Sequence, residues 1–445
     1  MVFSSWLFIV YFLPLVLMVY YLIPKHRNLV LLISSLAFYT FGEPIYIVLL
    51  IFSSTIDYHL SKRIESSNTP KKYLYLSILL NIGLLSIFKY SDFLISIINS
   101  FGVNLPFLRL GLPIGISFYT FQTLSYTIDV YRGNTKASKS YLDYMMYVSM
   151  FPQLIAGPIV KYKDIEKSIK KRIHSTDKFY EGIHRFVIGL AKKVIIADQL
   201  ASLHQQLGNS EVSLVGSWAM LIAFGLHIYY DFSGYSDMAI GLGKMFGFDL
   251  LENFNYPYIA SSVSEFWQRW HISLGSWFRE YLYFPLGGSR GAKSKVIRNL
   301  VIVWALTGLW HGASLNFVFW GFYFSIFIVV EKIFKDWFNN IPKLVRHLYL
   351  LVVVTISWTF FSIESLEMQF EVLKGLVGVS NIISEDVIYF LTQYLSIIVV
   401  AIIGCVPHQL KLYGRVKGWF MIILFIITMT YIVDSSFSPF IYFRF

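Results

Sequence analysis

Cysteine is almost absent from this chain, and several common catalytic motifs are missing altogether. Cys405 is the only cysteine among 445 residues. A single thiol forms neither an internal disulfide framework nor a cysteine metal cluster, so no metal site is predicted. The sequence also contains no G-x-x-x-x-G-K-[ST] loop, no H-E-x-x-H pair and no G-x-S-x-G elbow. These absences count against a nucleotide-driven pump.

Charge is scarce as well. Charged residues make up 14% of the chain and hydrophobic residues 56%, whereas a soluble globular protein has about a quarter charged residues. Apolar runs of roughly 20 residues, long enough to cross a bilayer, recur along the whole length. The opening MVFSSWLFIVYFLPLVLMVYYLIP has no basic n-region and no small-x-small cleavage site, so it predicts a retained span. The composition therefore predicts a polytopic membrane protein without a soluble domain.

The net charge of +11 does not indicate a nucleic-acid partner, because the basic residues lie in short clusters between the apolar runs. This is the pattern that the positive-inside bias produces. Placing the clusters on the cytoplasmic side makes the N-terminus external and predicts spans at 6–23, 29–41, 45–60, 73–89, 347–363, 387–406 and 418–434. The tail at 435–445 then lies outside or dips back into the membrane.

Between Arg298 and Glu331 there is no charged residue. A single helix over residues 299–330 would be about 48 Å long, well beyond a ~30 Å hydrocarbon core. Gly308, Gly312 and Asn316 are candidate breaks, and basic clusters flank both ends. We therefore expect a hairpin or re-entrant pair that holds His311 in its outer or middle part.

The segment EFWQRWHISLGSWFREYLYFPLGGSRG, residues 265–291, predicts one aromatic helix that ends by residues 285–288. Helical spacing places one set of residues on a common face: Trp267, Trp270, His271, Leu274, Phe278 and Tyr281. Such a helix is equally typical of the membrane interface. Burying His271, however, requires a hydrogen-bonding partner.

Ionisable residues recur in HIYYDFSGYSDMAIGLGKMFGFDL, residues 227–250. Carboxylates at membrane depth usually face the bundle interior, so Asp231 and Asp237 indicate either a structural polar knot or a reactive group. His227 and Asp231 are spaced to pair on one helical face. Lys192 and Lys193 are either interface cations or contacts for an anionic donor.

His311 itself is ambiguous on composition. A lone histidine on an apolar face is more often a packing residue than a catalyst. Gly308 and Gly312 flank it, however, and glycine permits close approach of a substrate. An imidazole with a near-neutral pKa can act as a general base on a hydroxyl. Both interpretations remain open at this point.

Two sequence blocks resemble a known family. FWQRWHISLGSWFREYLYFPLGGSRG and LTGLWHGASLNFVFWG, in this order and about forty residues apart, look like the signature blocks of the membrane-bound O-acyltransferase (MBOAT) family. GLPIGISFYTFQTLSY, FPQLIAGPI and YYDFSGYSDMAIGL fit its bacterial polysaccharide O-acetylating branch. The resemblance implies an all-α polytopic fold in a single domain over residues 1–445, with roughly ten to twelve transmembrane helices and re-entrant or interfacial helices around a central tunnel.

The resemblance also implies roles for individual residues. His311 matches the catalytic histidine, and His271 matches a second tunnel histidine. In the tail SPFIYFRF, Tyr442 matches a tyrosine proposed to carry the acyl group onward, although Arg444 stands where glutamine is common. An aromatic tail that docks on the bundle is the alternative. Substrate or tunnel contacts are expected at Trp267, Arg269, Trp270, Arg279, Trp310, Asn316 and Asp231.

The implied function is acyl transfer, most simply of acetyl, from cytoplasmic acetyl-CoA or an acyl-carrier thioester to a cell-envelope polysaccharide. No tightly bound cofactor is expected. The implied partners are an extracytoplasmic SGNH-type protein and, for a carrier-bound donor, a cytoplasmic protein, with the chain in the inner membrane. D-alanyl transfer to teichoic acid and acylation of a lipid or protein are the alternatives within the enzyme class. A polysaccharide or lipid flippase or secondary transporter is the alternative outside it, although no inverted repeat is visible.

Overall fold

The computed structural model describes residues 1–155, 157–379, 381–407 and 414–434, and helices dominate this part of the chain. No strand occurs within these ranges, and a single isolated bridge joins Ser213 to Asn381. Helices are the expected solution, because an apolar segment in lipid must satisfy its backbone groups internally. The predicted all-α class is confirmed.

The internal contacts divide the chain into two units. The first unit contains Met1–Phe186 and Ser236–Leu251, and the second contains Val187–Tyr235 and the described residues from Glu252 onward. The prediction of a single domain over 1–445 stays a prediction. The helices up to the first boundary are α1 Leu13–Leu22, α2 Arg27–Gly42, α3 Ile47–Ser66, α4 Pro70–Leu85, α5 Ser91–Ser100, α6 Ile116–Tyr131, α7 Tyr141–Ser149, α8 Phe151–Leu154 and α9 Tyr162–Lys170.

Two helices contain the unit boundaries, α10 Thr176–Ala191 and α12 Leu214–Met245, and α11 Asp198–Gly208 lies between them in sequence. The second unit continues with α13 Val263–Arg269, α14 Ile272–Phe278, α15 Lys293–His311, α16 Leu315–Ile333, α17 Lys335–Asn340, α18 Lys343–Ser362, α19 Leu366–Leu376, α20 Glu385–Gln393, α21 Leu395–Gly404 and α22 Gly414–Asp434. Wider π-helical turns lie at Phe8–Phe12, Ser86–Tyr90, Lys192–Ala197 and Arg279–Tyr283, and 3-10 turns at Pro24–His26 and Pro257–Ile259.

Four helical stretches of the described chain are long and apolar enough to cross a membrane: Pro70–Ser100, Leu315–Ile333, Lys343–Ser362 and Val416–Val433. Two bent pairs bring the number to six if each pair forms one span. Phe8–Leu22 and Pro24–Gly42 meet at 104°, and Glu385–Gln393 and Leu395–Gly404 meet at 62°. These stretches include or overlap the predicted spans at 6–23, 29–41, 73–89, 347–363, 387–406 and 418–434. By length and hydropathy alone they are fewer than the ten to twelve helices that the resemblance implies.

The charge-free tract forms the predicted hairpin. Helix α15 ends at His311, α16 begins at Leu315, and the three residues between them form the turn. Gly312 lies in this break, as expected. Gly308 and Asn316 do not, because each lies inside a helix.

The prediction of one continuous helix over residues 265–285 is wrong. Helix α13 ends at Arg269, and α14 begins only at Ile272. His271 stands between them in the left-handed region, with φ 47° and ψ 53°. A non-glycine residue rarely adopts this conformation, so the surrounding structure must stabilise it. The expected common aromatic face is therefore broken at His271.

Candidate active site

His311 is the last residue of α15 and is buried, with 2% of its surface exposed. Three aromatic side chains contact its imidazole edge to face, with centroid distances of 5.0 Å to Trp310, 5.0 Å to Trp320 and 5.3 Å to Phe361. These rings exclude bulk water from three sides of the imidazole. A proton held or removed there is exchanged in a low-dielectric environment, where electrostatic effects are strong.

Glycines allow the two arms of the hairpin to pack backbone against backbone beneath His311. A Cβ atom at Gly308 would overlap the carbonyl oxygen of Phe317, and one at Gly321 would overlap that of Trp304. A Cβ atom at Gly312 would collide with the Phe317 ring. The three glycines are therefore required by this close packing, which sets the position of the α15 terminus and its histidine.

His271 is also buried, with 1% of its surface exposed. Its Nδ1 lies 3.3 Å from Oδ1 of Asn253, a fully buried residue. The same asparagine accepts the backbone N–H of Ile272 at its carbonyl oxygen, at 3.0 Å, and that of Ser273 at Oδ1, at 3.0 Å. These bonds hold the first turn of α14 and stabilise the left-handed backbone at His271.

The bond from Ser273 also indicates the tautomer of the His271 ring. A backbone N–H can only donate, so the Asn253 atom that receives it must be the amide oxygen. The same oxygen faces Nδ1 of His271, and therefore Nδ1 must carry a proton. The neutral His271 ring consequently has its lone pair on Nε2.

Trp310 contacts both histidines. The centroid of its ring system lies 5.9 Å from that of His271 and 5.0 Å from that of His311, edge to face in both cases. Phe232 covers another side of His271, at 4.6 Å. Two buried imidazole rings of the second unit thus contact the same indole ring.

A cavity of about 440 Å³ opens beside His271. Its lining includes Trp267, Trp270, Arg279, Trp304 and Thr307, and it also includes His271 itself. Nε1 of Trp267 is buried and has no hydrogen-bond partner among the residues that the structure describes. A cavity of this size, with mainly apolar walls and a few polar groups, suits a small and largely apolar ligand.

Glu331 anchors the helix that carries Trp267. This buried carboxylate near the end of α16 accepts the backbone N–H of Val263 at 2.6 Å and that of Ser264 at 2.9 Å. The Ser264 hydroxyl donates to it as well, at 2.7 Å. A carboxylate at a helix N-terminus satisfies unpaired N–H groups and complements the helix dipole. Glu331 therefore fixes α13 against the hairpin.

Comparison with known proteins supplies the family. The model of the membrane-bound O-acyltransferase family, MBOAT, matches residues 85–370. The probable alginate O-acetylase AlgI of Azotobacter vinelandii is 39% identical over 91% of this chain and 85% of its own length. The peptidoglycan O-acetyltransferase of Helicobacter pylori is 32% identical over 100% of this chain and 98% of its own length. The teichoic acid D-alanyltransferase of Bacillus subtilis is more distant, 26% identical over 56% of this chain and 67% of its own length.

The chain belongs to the MBOAT family. It is therefore an O-acyltransferase and a multi-pass membrane protein. Membership in an enzyme family decides against the flippase or transporter alternative.

The predicted site residues of this MBOAT protein occupy different places. Trp267, Trp270, His271 and Arg279 line the cavity. Trp310 and His311 lie behind this lining. Trp310 contacts the ring of His271, which lines the cavity, and His311 contacts Trp310. Neither of the latter two is among the residues that line the cavity.

Two further predicted contacts have local partners. Arg269 pairs with Glu265 at 3.0 Å and donates to the carbonyl of Asn255. Asn316 donates to the carbonyl oxygens of Ile363 and Glu364, which ties α16 to the end of α18. Both side chains thus stabilise local structure around the MBOAT site.

Asp231 is buried in a polar cluster of the second unit. Lys193 lies 2.6 Å from Asp231 and 2.9 Å from Asp198. His227 does not face Asp231 with Nδ1, which lies 2.9 Å from the carbonyl oxygen of Ala197 instead. Lys193 has 1% of its side chain exposed, so it is not an interface cation. Tyr442 and the tail at 435–445 lie outside the described residues.

Sequence reasoning missed Asn253 and Glu331. The sequence signal for Glu331 was its place as the first charge after the neutral tract, although nothing indicated its bond to α13. Asn253 lies 18 positions before His271, within ENFNYPY, and no periodic pattern connects the two. Only the requirement that a buried histidine be hydrogen-bonded predicted that such a partner exists.

Proposed function

We propose that this protein transfers acetyl groups from a cytoplasmic thioester donor, across the inner membrane, toward a cell-envelope polysaccharide. The observation that carries the proposal is the 39% identity, over 426 residues, with a relative named as an alginate O-acetylase. The full-length similarity to a peptidoglycan O-acetyltransferase supports a polysaccharide acceptor independently.

The chemistry requires a base and positioning rather than a nucleophilic serine. A hydroxyl loses its proton to the base, and its oxygen attacks the thioester carbonyl carbon. The C–S bond then breaks, a C–O ester bond forms, and the thiolate takes up a proton as it leaves. Because the thioester is already activated, alignment of the two reactants in a dry site supplies much of the remaining acceleration.

We assign the role of general base to His311. Its burial among three aromatic rings keeps water, which would otherwise hydrolyse the donor, away from the reacting groups. His271 serves as the second tunnel histidine. Trp310, which contacts both rings, sets their separation.

The acceptor of the first transfer is Tyr442 in this proposal. Its phenol oxygen attacks the thioester while His311 removes the proton, and the resulting aryl ester passes its acetyl group to an extracytoplasmic SGNH-type partner. A phenol has a pKa near 10, so it needs such a base at neutral pH. The donor is acetyl-CoA or an acyl-carrier thioester.

Replacement of His311 by alanine tests the assignment of the base. We expect His311→Ala and His311→Gln to abolish polysaccharide acetylation while protein abundance in the membrane stays normal. His59→Ala is the matched control, because His59 is an exposed histidine on α3. Acetylation that persists in His311→Ala membranes at normal abundance would refute the assignment.

Replacement of Tyr442 by phenylalanine tests the relay separately. We expect Tyr442→Phe to abolish transfer to the polysaccharide, and full activity would reject a covalent relay. The donor is tested by supplying labelled acetyl-CoA or a D-alanyl carrier thioester to membranes. Labelling from D-alanine alone would replace acetyl transfer with the D-alanyl alternative.

A further inference from the structure

A second cavity, in the first unit, has a strongly basic lining. It measures about 350 Å³ and lies where the 3-10 turn Pro24–His26 leads into α2, beside the loop between α9 and α10. The charged residues of its lining are four cations, Lys25, Arg27, Lys170 and Arg172, and one carboxylate, Asp143. The structure thus joins two basic clusters of the sequence, 25–27 and 161–172, in one cavity.

Two of these cations, Arg27 and Arg172, make no ion pair with a carboxylate in the part of the chain that the structure describes. Nη1 of Arg27 donates to Nδ1 of His174 at 3.3 Å, while its Nε is buried and has no hydrogen-bond partner among the described residues. Arg172 donates from Nη1 to the hydroxyl of Tyr20 at 2.9 Å and from Nε to the carbonyl of Ser168 at 3.0 Å. Oδ1 of Asp143 accepts a hydrogen bond from the side-chain amide of Asn28, at 2.6 Å.

Aromatic rings and hydrogen bonds hold these guanidinium groups in place. Arg27 lies over the ring of Tyr20 at 5.3 Å, and Arg172 lies over the ring of Phe248 at 4.5 Å. Tyr20 donates its hydroxyl proton to the carbonyl of Phe246 at 2.7 Å, so its oxygen can receive Arg172 and also His174 Nε2, at 3.0 Å. The guanidinium groups of Arg27 and Arg172 are therefore held in position without a ligand.

His174 remains neutral within this network. Burial, followed by the charges of Arg27, Arg172 and Lys178, lowers the pKa of His174 to about 4. Its Nδ1 therefore accepts from Arg27, while its Nε2–H donates to Tyr20. A neutral histidine orients Arg27 without adding a competing charge.

We propose that Arg27 and Arg172, with Lys25 at the rim, bind the phosphate ester of an anionic phospholipid headgroup. Planar guanidinium forks match phosphate oxygens, and a lysine adds a point charge. The volume suits a headgroup rather than a macromolecule.

Exposed apolar side chains beside the cavity favour a lipid over a soluble phosphate ester. Leu22 is 72% exposed, Ile173 76% and Ile23 42%, and all three lie within two residues of a lining residue. In a membrane protein such side chains are stabilised by acyl chains, which places the basic cavity at headgroup depth. The phosphate of a thioester donor is the other source of the same chemistry.

The test compares lipid retention by the purified, delipidated full-length protein in native mass spectrometry. Phosphatidylglycerol, phosphatidylcholine and coenzyme A are added separately at equal concentration. We expect one retained phosphatidylglycerol in the wild type and about tenfold weaker retention in Arg27→Gln/Arg172→Gln, the effect of losing at least one charge-assisted contact. Lys71→Gln, which removes an exposed cation of α4 outside the lining, should retain the lipid as the wild type does.

Two single variants distinguish the loss of a phosphate contact from misfolding of the double variant. Arg27→Gln alone leaves the bonds of Arg172 intact and should still weaken retention, while Arg27→Lys should weaken it less because it keeps the charge. Undiminished phosphatidylglycerol retention in a folded Arg27→Gln/Arg172→Gln protein would overturn the site. Retention of coenzyme A in preference to phosphatidylglycerol, lost in the same variant, would overturn the lipid as its source.

Discussion

Asn253 and His271 form a buried pair in which the amide oxygen of the asparagine receives the Nδ1–H of the imidazole at 3.3 Å. The donor-only N–H of Ser273, on the same oxygen, fixes the orientation of the amide and hence the tautomer of the histidine. The asparagine thus sets both where the His271 ring points and which nitrogen has the lone pair.

Removal of the asparagine side chain should lower the transfer rate of the folded protein, in addition to the stability lost with the Ser273 bond. We expect Asn253→Ala to lower acetyl transfer about a hundredfold, because a released imidazole loses its orientation in the site. The measurement is the transfer rate per folded molecule, with folded protein quantified by size-exclusion chromatography.

Ser273→Ala is the control for this prediction. It removes the hydroxyl that donates to Asn253 at 2.9 Å and leaves the bond to His271 in place. It should therefore retain most of the activity. An equal loss in both variants would mean that Asn253 supports the start of α14 and not His271.

The close approach of the hairpin arms gives a prediction for stability. An added methyl group at Gly308 meets the backbone carbonyl of Phe317, which cannot move aside as a flexible side chain does. We expect Gly308→Ala to cost at least about 3 kcal/mol of unfolding free energy, in the upper range for overpacking. Gly83→Ala, in α4, adds its methyl group to open space and replaces a poor helix former by a good one, so it should not lower the thermal midpoint. A Gly308→Ala protein as stable as the wild type would contradict the packing described here.

The sequence predicts features that depend on neighbouring residues, and it does not predict features that depend on contacts between residues far apart in the chain. The hairpin followed from length, since 32 uncharged residues exceed one membrane crossing. Its turn was narrowed only to three candidates, of which Gly312 alone lies in the break. The break at His271 was not, because helical spacing continues on both sides and periodicity carries no information about a single φ angle. The actual determinant is Asn253, whose contact with residues 271–273 exists only in three dimensions.

The contact between Glu331 and the N-terminus of α13 gives a second prediction for stability. Glu331 receives two backbone N–H groups with two carboxylate oxygens, whereas glutamine offers one oxygen and an N–H₂ group that would face a donor. We expect Glu331→Gln to cost about 1–3 kcal/mol, the penalty for a buried donor left unpaired. Activity should fall as well, because α13 carries Trp267. Thermal unfolding measures the first effect, and Glu367→Gln, which changes an exposed residue of α19, should have neither effect.

The role of Asp231 can be decided by separating stability from activity. Asp231 and Lys193 each have 1% of their side chains exposed and lie 2.6 Å apart, and Lys193 has a second carboxylate in Asp198. Removing one charge of a buried pair leaves the other only partly compensated, here by Asp198, so we expect Asp231→Asn to cost about 3 kcal/mol, the lower end for breaking such a pair. Asp198→Asn should cost less, because the Asp198 side chain is 21% exposed and water replaces part of the bond.

If the pair is structural, the folded fraction of Asp231→Asn transfers acetyl groups at the wild-type rate. A stable variant with a reduced rate would instead make Asp231 a substrate contact, as the resemblance implied.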